Sequence, residues 1–172
     1  MTVAAWPDAV YEALLAAGVK QVAYVPDAGH RRLIELAHAN SDLTTVVLTT
    51  EEEGIAVLAG AYLGGQKGAL LMQSSGVGNC INALALPAEC RIPLLMLVTM
   101  RGEWGEFNPW QVAMGQATPP ALEAMGVIVL RADDAERIVE TVQAGAGLAF
   151  DSGRMVAVLI GQRAIGAKVF RK

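Results

Sequence analysis

The chain is punctuated by apolar runs of strand length that end in turn-forming residues. Ala69–Gln73, Pro93–Thr99 and Met155–Ile160 contain no charged residue. A strand with one wet face alternates apolar and polar side chains, so runs without alternation read as strands covered on both faces. Between them lie stretches with helical spacing, such as 31–40, where Leu33, Ile34, Leu36 and Ala37 share a face. Spacing and turn residues predict helix over 6–17, strand over 22–25, helix over 31–40 and strand over 44–48. Helix follows over 52–63 and strand over 69–73, then a Ser74–Asn79 turn opening a helix that runs to 86. The remainder reads as strand over 93–99, a polar and aromatic loop over 101–119, helix within 122–125, strand over 127–130, helix over 135–148 and strand over 155–160. This alternation predicts an α/β fold in three layers: about six parallel strands with helices on both faces. The 172 residues are expected to form a single domain over 1–172.

Composition narrows the function classes. The chain is 53% hydrophobic and 17% charged, yet no stretch approaches the roughly 20 apolar residues of a membrane span. The excess apolar surface points to buried strands and to contact with another subunit. A net charge of −4 argues against nucleic acid as a partner. Cys80 and Cys90 form no CxxC or Cys/His cluster, so no metal site is expected from this chain and the thiols suit a reducing cytoplasm. The start, Met1 to Asp8, lacks the basic and apolar regions of a signal peptide, and the basic tail Lys168–Lys172 is expected at the surface.

Three segments carry candidate chemistry. Glu51-Glu52-Glu53 stand where a buried strand gives way to a helix built of small apolar residues. Acids there complement the helix dipole; a carboxyl facing an apolar wall can also relay protons. Ser74-Ser75-Gly76-Val77-Gly78-Asn79 follows a strand, and its glycines allow close backbone approach, either as a plain turn or around a ligand. It has neither GxGxxG spacing nor a Gly-Lys-Ser/Thr end. Gln73 and Asn79 can donate hydrogen bonds to a ligand, and Asn79 can equally cap its own helix. His30, Arg31, Arg32 and Arg101 are the available cations and donors, with Arg31 and Arg32 expected in solvent.

Taken together, Val25-Pro26-Asp27-Ala28-Gly29-His30, Glu51-Glu52-Glu53-Gly54, Gln73 to Leu84, Arg101-Gly102-Glu103 and Asn108-Pro109-Trp110-Gln111 form a recognisable set. It resembles the pyrimidine-binding domain of thiamine-diphosphate-dependent decarboxylases, among them the sulfopyruvate and phosphonopyruvate decarboxylases. The resemblance runs from the first helix to the last strand. It implies a subunit of a 2-oxo acid decarboxylase, most closely one converting sulfopyruvate to sulfoacetaldehyde and carbon dioxide, with phosphonopyruvate decarboxylation or a non-catalytic binding partner as alternatives.

The resemblance also implies site roles. The family uses one acid to contact the cofactor's aminopyrimidine and relay a proton; it precedes by ten residues a Tyr that ends the helix. Tyr62 selects Glu52, which shares a face with Ala56, Ala59 and Leu63, whereas Glu51 shares one with Ile55, Leu58 and Tyr62. Glu51 and Glu53 then serve the helix dipole. Pro26, Gln73, Ser75, Gly76 and Asn79 fall on cofactor-binding segments, and His30 and Arg101 are expected to hold the substrate's acidic tail. Family members bind magnesium and diphosphate through a Gly-Asp-Gly motif, and none occurs in this chain. The expected partner is therefore a diphosphate-binding beta subunit that supplies the magnesium ligands, in a hetero-oligomer with two-fold symmetry.

Overall fold

A computed structural model describes residues 6–166. The basic tail Lys168–Lys172 and Met1–Ala5 lie outside the described residues. The helices are α1 (Trp6–Ala16), α2 (Arg31–Ala39), α3 (Glu51–Leu63), α4 (Ser74–Cys80), α5 (Ala85–Cys90), α6 (Trp110–Ala124), α7 (Ile138–Phe150) and α8 (Gln162–Ile165). The strands are β1 (Val19–Tyr24), β2 (Thr44–Val47), β3 (Lys67–Gln73), β4 (Leu94–Thr99), β5 (Ile128–Ala132) and β6 (Met155–Ile160). All pairings are parallel, in the order β2-β1-β3-β4-β6-β5.

Strand periodicity sorts the core into two halves. Leu71, Leu95, Leu97, Val156 and Val158 face α1, α2 and α7, where Val10, Leu14, Leu33 and Val142 meet them. Leu70, Met72, Met96, Val98 and Leu159 point the other way, onto Ile55 and Leu58 of α3, Val77 of α4 and Leu122 of α6. Both faces are covered, as the charge-free runs predict. All six strands also run out at one edge of the sheet. Chain order reverses between β1 and β3, so the loops after those strands diverge and leave a crevice between them.

Three elements differ from expectation. Ser74 starts a helix directly, with no intervening turn, and that helix ends at Cys80 rather than running to 86, a separate α5 following at Ala85. Most of the expected 101–119 loop is helical, because α6 begins at Trp110 and passes through Pro119 and Pro120. Those prolines cannot donate to Gly115 and Gln116, but burial of Gly115, Thr118 and Leu122 against the sheet and α4 holds the helix. The short α8 is not signalled by periodicity.

Gly115 shows how tightly α6 is held: a Cβ there would lie 2.0 Å from the Arg101 carbonyl oxygen. Gly60 of α3, by contrast, has nothing within 4 Å of the place a methyl group would take. Gly115→Ala should therefore cost about 1–3 kcal/mol of stability by overpacking. Gly60→Ala should add about 0.5–1 kcal/mol from helix propensity alone. Urea unfolding of the isolated chain measures both; equal effects would contradict the packing described.

Candidate functional site

The three acids of α3 have three fates. Glu53, in the first turn, accepts a hydrogen bond from the Thr49 N–H at 2.7 Å and so ties the residue before the N-cap to the helix. Glu52 lies on the exposed side. Glu51 turns inward and is only 9% exposed. It heads the stripe of Ile55 and Leu58, which lock α3 onto the sheet. At the helix start that stripe overhangs the strand ends, so its first side chain leaves the core and enters the crevice.

Asn79 of α4 donates its Nδ2–H to Glu51 Oε2 at 2.8 Å. Gly76 permits the approach, since a Cβ there would lie 2.3 Å from Glu51 Oε1 and 2.4 Å from Cδ. Oε1 accepts no hydrogen bond among the described residues, and it is not one of the sealed, unpartnered polar atoms. It therefore reaches open space. That space is a cleft of about 630 Å³ bounded by Glu51, Ser75, Gly76, Asn79, Trp110 and Met114. Gln73 braces the rim, donating to Ser75 Oγ at 2.8 Å and to Gln111 Oε1 at 3.1 Å. Below the acid, Cys80 is buried, and burial followed by the neighbouring carboxylates of Glu51 and Glu52 pushes its thiol up to about 12. It is an inert thiol at neutral pH.

A second cleft, of about 390 Å³, opens over the β1–α2 loop and is bounded by Asp27, Gly29, Arg31, Arg32, Thr99 and Arg101. Thr99 Oγ1 donates to Asp27 Oδ2 at 2.5 Å, tying the loop to β4. Arg32 pairs with Asp8. The Arg31 side chain has no hydrogen-bond or ion-pair partner among the described residues and is exposed.

Of the residues expected at the site, Ser75, Gly76 and Asn79 come together on one cleft with Gln73 behind them. Glu52 does not join them; the helix turn gives that place to Glu51. Pro26 is exposed in the β1–α2 loop and lines neither cleft. His30 is 1% exposed, and its Nε2–H donates to the Leu97 carbonyl at 3.1 Å. Burial lowers its pKa, and its Nδ1 is buried without a hydrogen-bond partner among the described residues. Arg101 borders the second cleft, but its guanidinium is bidentate to Glu106 at 2.6 and 2.6 Å. Met114 escapes a reading of the sequence, and Trp110 enters it only as part of the Asn108–Gln111 motif and not as a wall of the cleft, because the prolines ahead of Leu122 hide the Gly115-Thr118-Leu122 periodicity of α6. Among the described residues no group of three or more His, Cys, Asp or Glu is placed to hold a metal ion, and no helix is long and apolar enough to cross a membrane.

Glu106 organises the loop between β4 and α6. Besides Arg101 it accepts from the Gly102 and Asn108 N–H groups and from Gln162 Nε2. Gln162 Oε1 in turn accepts from the Glu103 and Trp104 N–H groups. The Arg101 guanidinium, aided by these N–H donors, holds the Glu106 carboxyl down at about 2. A depressed folded pKa contributes stability above the unfolded value of 4.5 that is lost as pH falls toward 2. Acid unfolding of the wild type should steepen through that window. Glu106→Gln should be less stable at neutral pH and flatter between pH 4.5 and 2; an unchanged acid profile would contradict the latch.

Comparison with known proteins fits this geometry. Residues 5–111 match the family described as thiamine pyrophosphate enzyme, N-terminal TPP binding domain. Sulfopyruvate decarboxylase subunit alpha of Methanococcus maripaludis is 36% identical over 154 residues, covering 89% of this chain and 92% of that protein. The subunit of the same name from Methanothermobacter thermautotrophicus is 40% identical over 121 residues, covering 70% and 73%. Among solved structures, 2-oxoglutarate:ferredoxin oxidoreductase from Magnetococcus marinus aligns over 93% of this chain with a TM-score of 0.71 at 16% identity. This chain spans 29% of that one, and the likeness is one of fold.

Proposed function

Since the chain belongs to the thiamine pyrophosphate enzymes, in the line of the sulfopyruvate decarboxylase alpha subunits, we propose that it is the pyrimidine-binding half of a sulfopyruvate decarboxylase, with Glu51 as its acid. The observation that carries this reading is Glu51 itself: an inward carboxyl with one oxygen tied to Asn79 and the other open to a cleft. The cleft suits a flat heteroaromatic ring. Glu51, Ser75 and Asn79 give it a polar wall, and Trp110 and Met114 an apolar one.

In the reaction the C1–C2 bond of sulfopyruvate breaks, carbon dioxide leaves, and a proton takes its place to give sulfoacetaldehyde. Thiamine diphosphate, when bound, supplies the nucleophilic carbon and the electron sink for that cleavage. This chain's contribution is a proton held at Glu51 Oε1 and exchanged with the pyrimidine ring, while Ser75, Gly76 and Asn79 hold and orient that ring. Gln73 keeps Ser75 turned toward it, and Trp110 limits entry of water. Arg31 is the cation free to meet the substrate's sulfonate, in place of Arg101, whose charge Glu106 already neutralises.

The diphosphate and its magnesium fall to a beta subunit. The absence of Gly-Asp-Gly from these residues supports that division of labour. The alpha-subunit names of the relatives support a partner in general terms. A two-fold hetero-oligomer in the cytoplasm is the assembly that fits, with residues 1–172 forming one domain.

The test is the reconstituted complex with magnesium and thiamine diphosphate. Glu51→Gln should lower the rate of hydrogen–deuterium exchange at thiamine C2, and turnover with it, by about 10²–10⁴-fold. Glu52→Gln should leave both near wild type. Loss in the Glu52 variant with an intact Glu51 variant would return the role to Glu52. Arg31→Ala should raise KM for sulfopyruvate more than it lowers kcat, and should affect pyruvate less. Equal effects on the two substrates would remove Arg31 from the sulfonate site.

A further inference from the structure

We propose that Asn79 is a positioning residue that decides which oxygen of Glu51 carries the proton. The inference rests on Glu51 being the acid and adds how that acid is made to face one way.

A carboxyl has two equivalent oxygens and turns about its Cγ–Cδ bond through a broad, two-fold profile. Left alone, a protonated Glu51 would present either oxygen to the cleft. Two neighbours remove the symmetry. Asn79 Nδ2 donates to Oε2 at 2.8 Å, and an oxygen that accepts this bond in line is unsuited to carrying a proton of its own. The backbone of Gly76 packs against the other side, so close that a Cβ at that position would lie only 2.3–2.5 Å from Oε1, Cδ and Cγ. The carboxyl is thus clamped between a donor on one oxygen and a bare Cα on its flank. Oε1 is the oxygen without a protein partner among the described residues and with access to the cleft. Whenever Glu51 carries a proton, Oε1 is therefore the oxygen that bears it, and Oε2 acts as the fixed acceptor. When Glu51 is ionised, the same Nδ2–H stabilises the charge, so the one contact serves both protonation states.

The alternative is that Asn79 merely caps or surfaces its helix. Asn79 lies at the sixth residue of α4, past the first turn, so capping of that helix is excluded by position. Its side chain makes no other hydrogen bond among the described residues.

The experiment has two arms. In the isolated chain without ligand, nuclear magnetic resonance follows the Asn79 side-chain amide, assigned by its disappearance in Asn79→Ala. The two Nδ2 protons should be widely split in the wild type and should collapse to the free-amide position in Glu51→Ala. In the reconstituted complex, thiamine C2 exchange is measured for Asn79→Ala, Glu51→Gln and the double variant. A charge-assisted hydrogen bond is worth enough that Asn79→Ala should slow exchange by about 10–100-fold, in a complex that still assembles and melts cooperatively. Asn79→Asp should slow it at least as much, because a second carboxyl would draw the proton to Oε2. In the Glu51→Gln background, removing Asn79 should have no further effect. An Asn79 amide already at the free-amide position in the wild type, or exchange in Asn79→Ala equal to wild type while Glu51→Gln is defective, would overturn the inference and leave Glu51 standing. Full additivity of the two substitutions would also overturn it, assigning Asn79 a separate contact. If Glu51→Gln itself exchanges normally, it is the reading of Glu51 that fails.

Discussion

A parallel sheet buried on both faces imposes the constraint from which the rest follows. Its strands must be apolar on both sides, and they all end at the same edge. Helices packed over such a sheet begin at that edge, so the first residue of an inward stripe overhangs the strand ends rather than the core. Glu51 occupies that position on α3. Ile55 and Leu58 fix the rotation of the helix, and the rotation carries Glu51 into the crevice opposite α4. The chemistry of the site thus depends on the packing of two apolar residues one and two turns below it.

Close approach is the second requirement. α3 and α4 can bring a carboxyl against a backbone only because position 76 has no side chain. Ser74 then ties the ends of β3 and β4 together: its Oγ accepts from the Arg101 N–H at 3.0 Å. From there the Glu106 latch folds the following loop and aims α6, with Trp110, across the cleft. Gly115 lets α6 lie against the Arg101 carbonyl. One continuous set of contacts therefore links the acid, the loop after β4 and the aromatic rim. Trp110 remains largely exposed on this rim, and Trp104 and Phe107 are half exposed in the loop that precedes it.

How far the sequence discloses this depends on which physical signal each part leaves. Strands β3, β4 and β6 are legible because double burial leaves unbroken apolar runs. The α/β class, the order of elements and the family resemblance follow. Helix α6 is not, because Pro119 and Pro120 carry a strong local signal that tertiary packing overrides. The Ser74–Asn79 segment reads as a turn for a similar reason: two glycines and two serines are poor helix formers, yet α6 and the sheet hold them helical. The choice among the three acids shows a subtler limit. Spacing to Tyr62 points to Glu52, and the core-like stripe of Glu51 argues against Glu51. That stripe is in fact what directs Glu51 inward, and Tyr62 is nearly half exposed at the far end. Periodicity gives a residue's face but not whether the core still lies beneath it. His30 and Arg101 illustrate the converse: their residue types suit an anion, but burial and Glu106 commit them elsewhere.

The central claim is that the open oxygen of Glu51 meets the cofactor ring. A crystal structure of this chain with its diphosphate-binding partner, magnesium and thiamine diphosphate tests it most directly. The account predicts Glu51 Oε1 at about 2.6–3.2 Å from a ring nitrogen of the aminopyrimidine, with Asn79 still bonded to Oε2. A pyrimidine bound against Glu52, or seated away from the Glu51 cleft altogether, would contradict it.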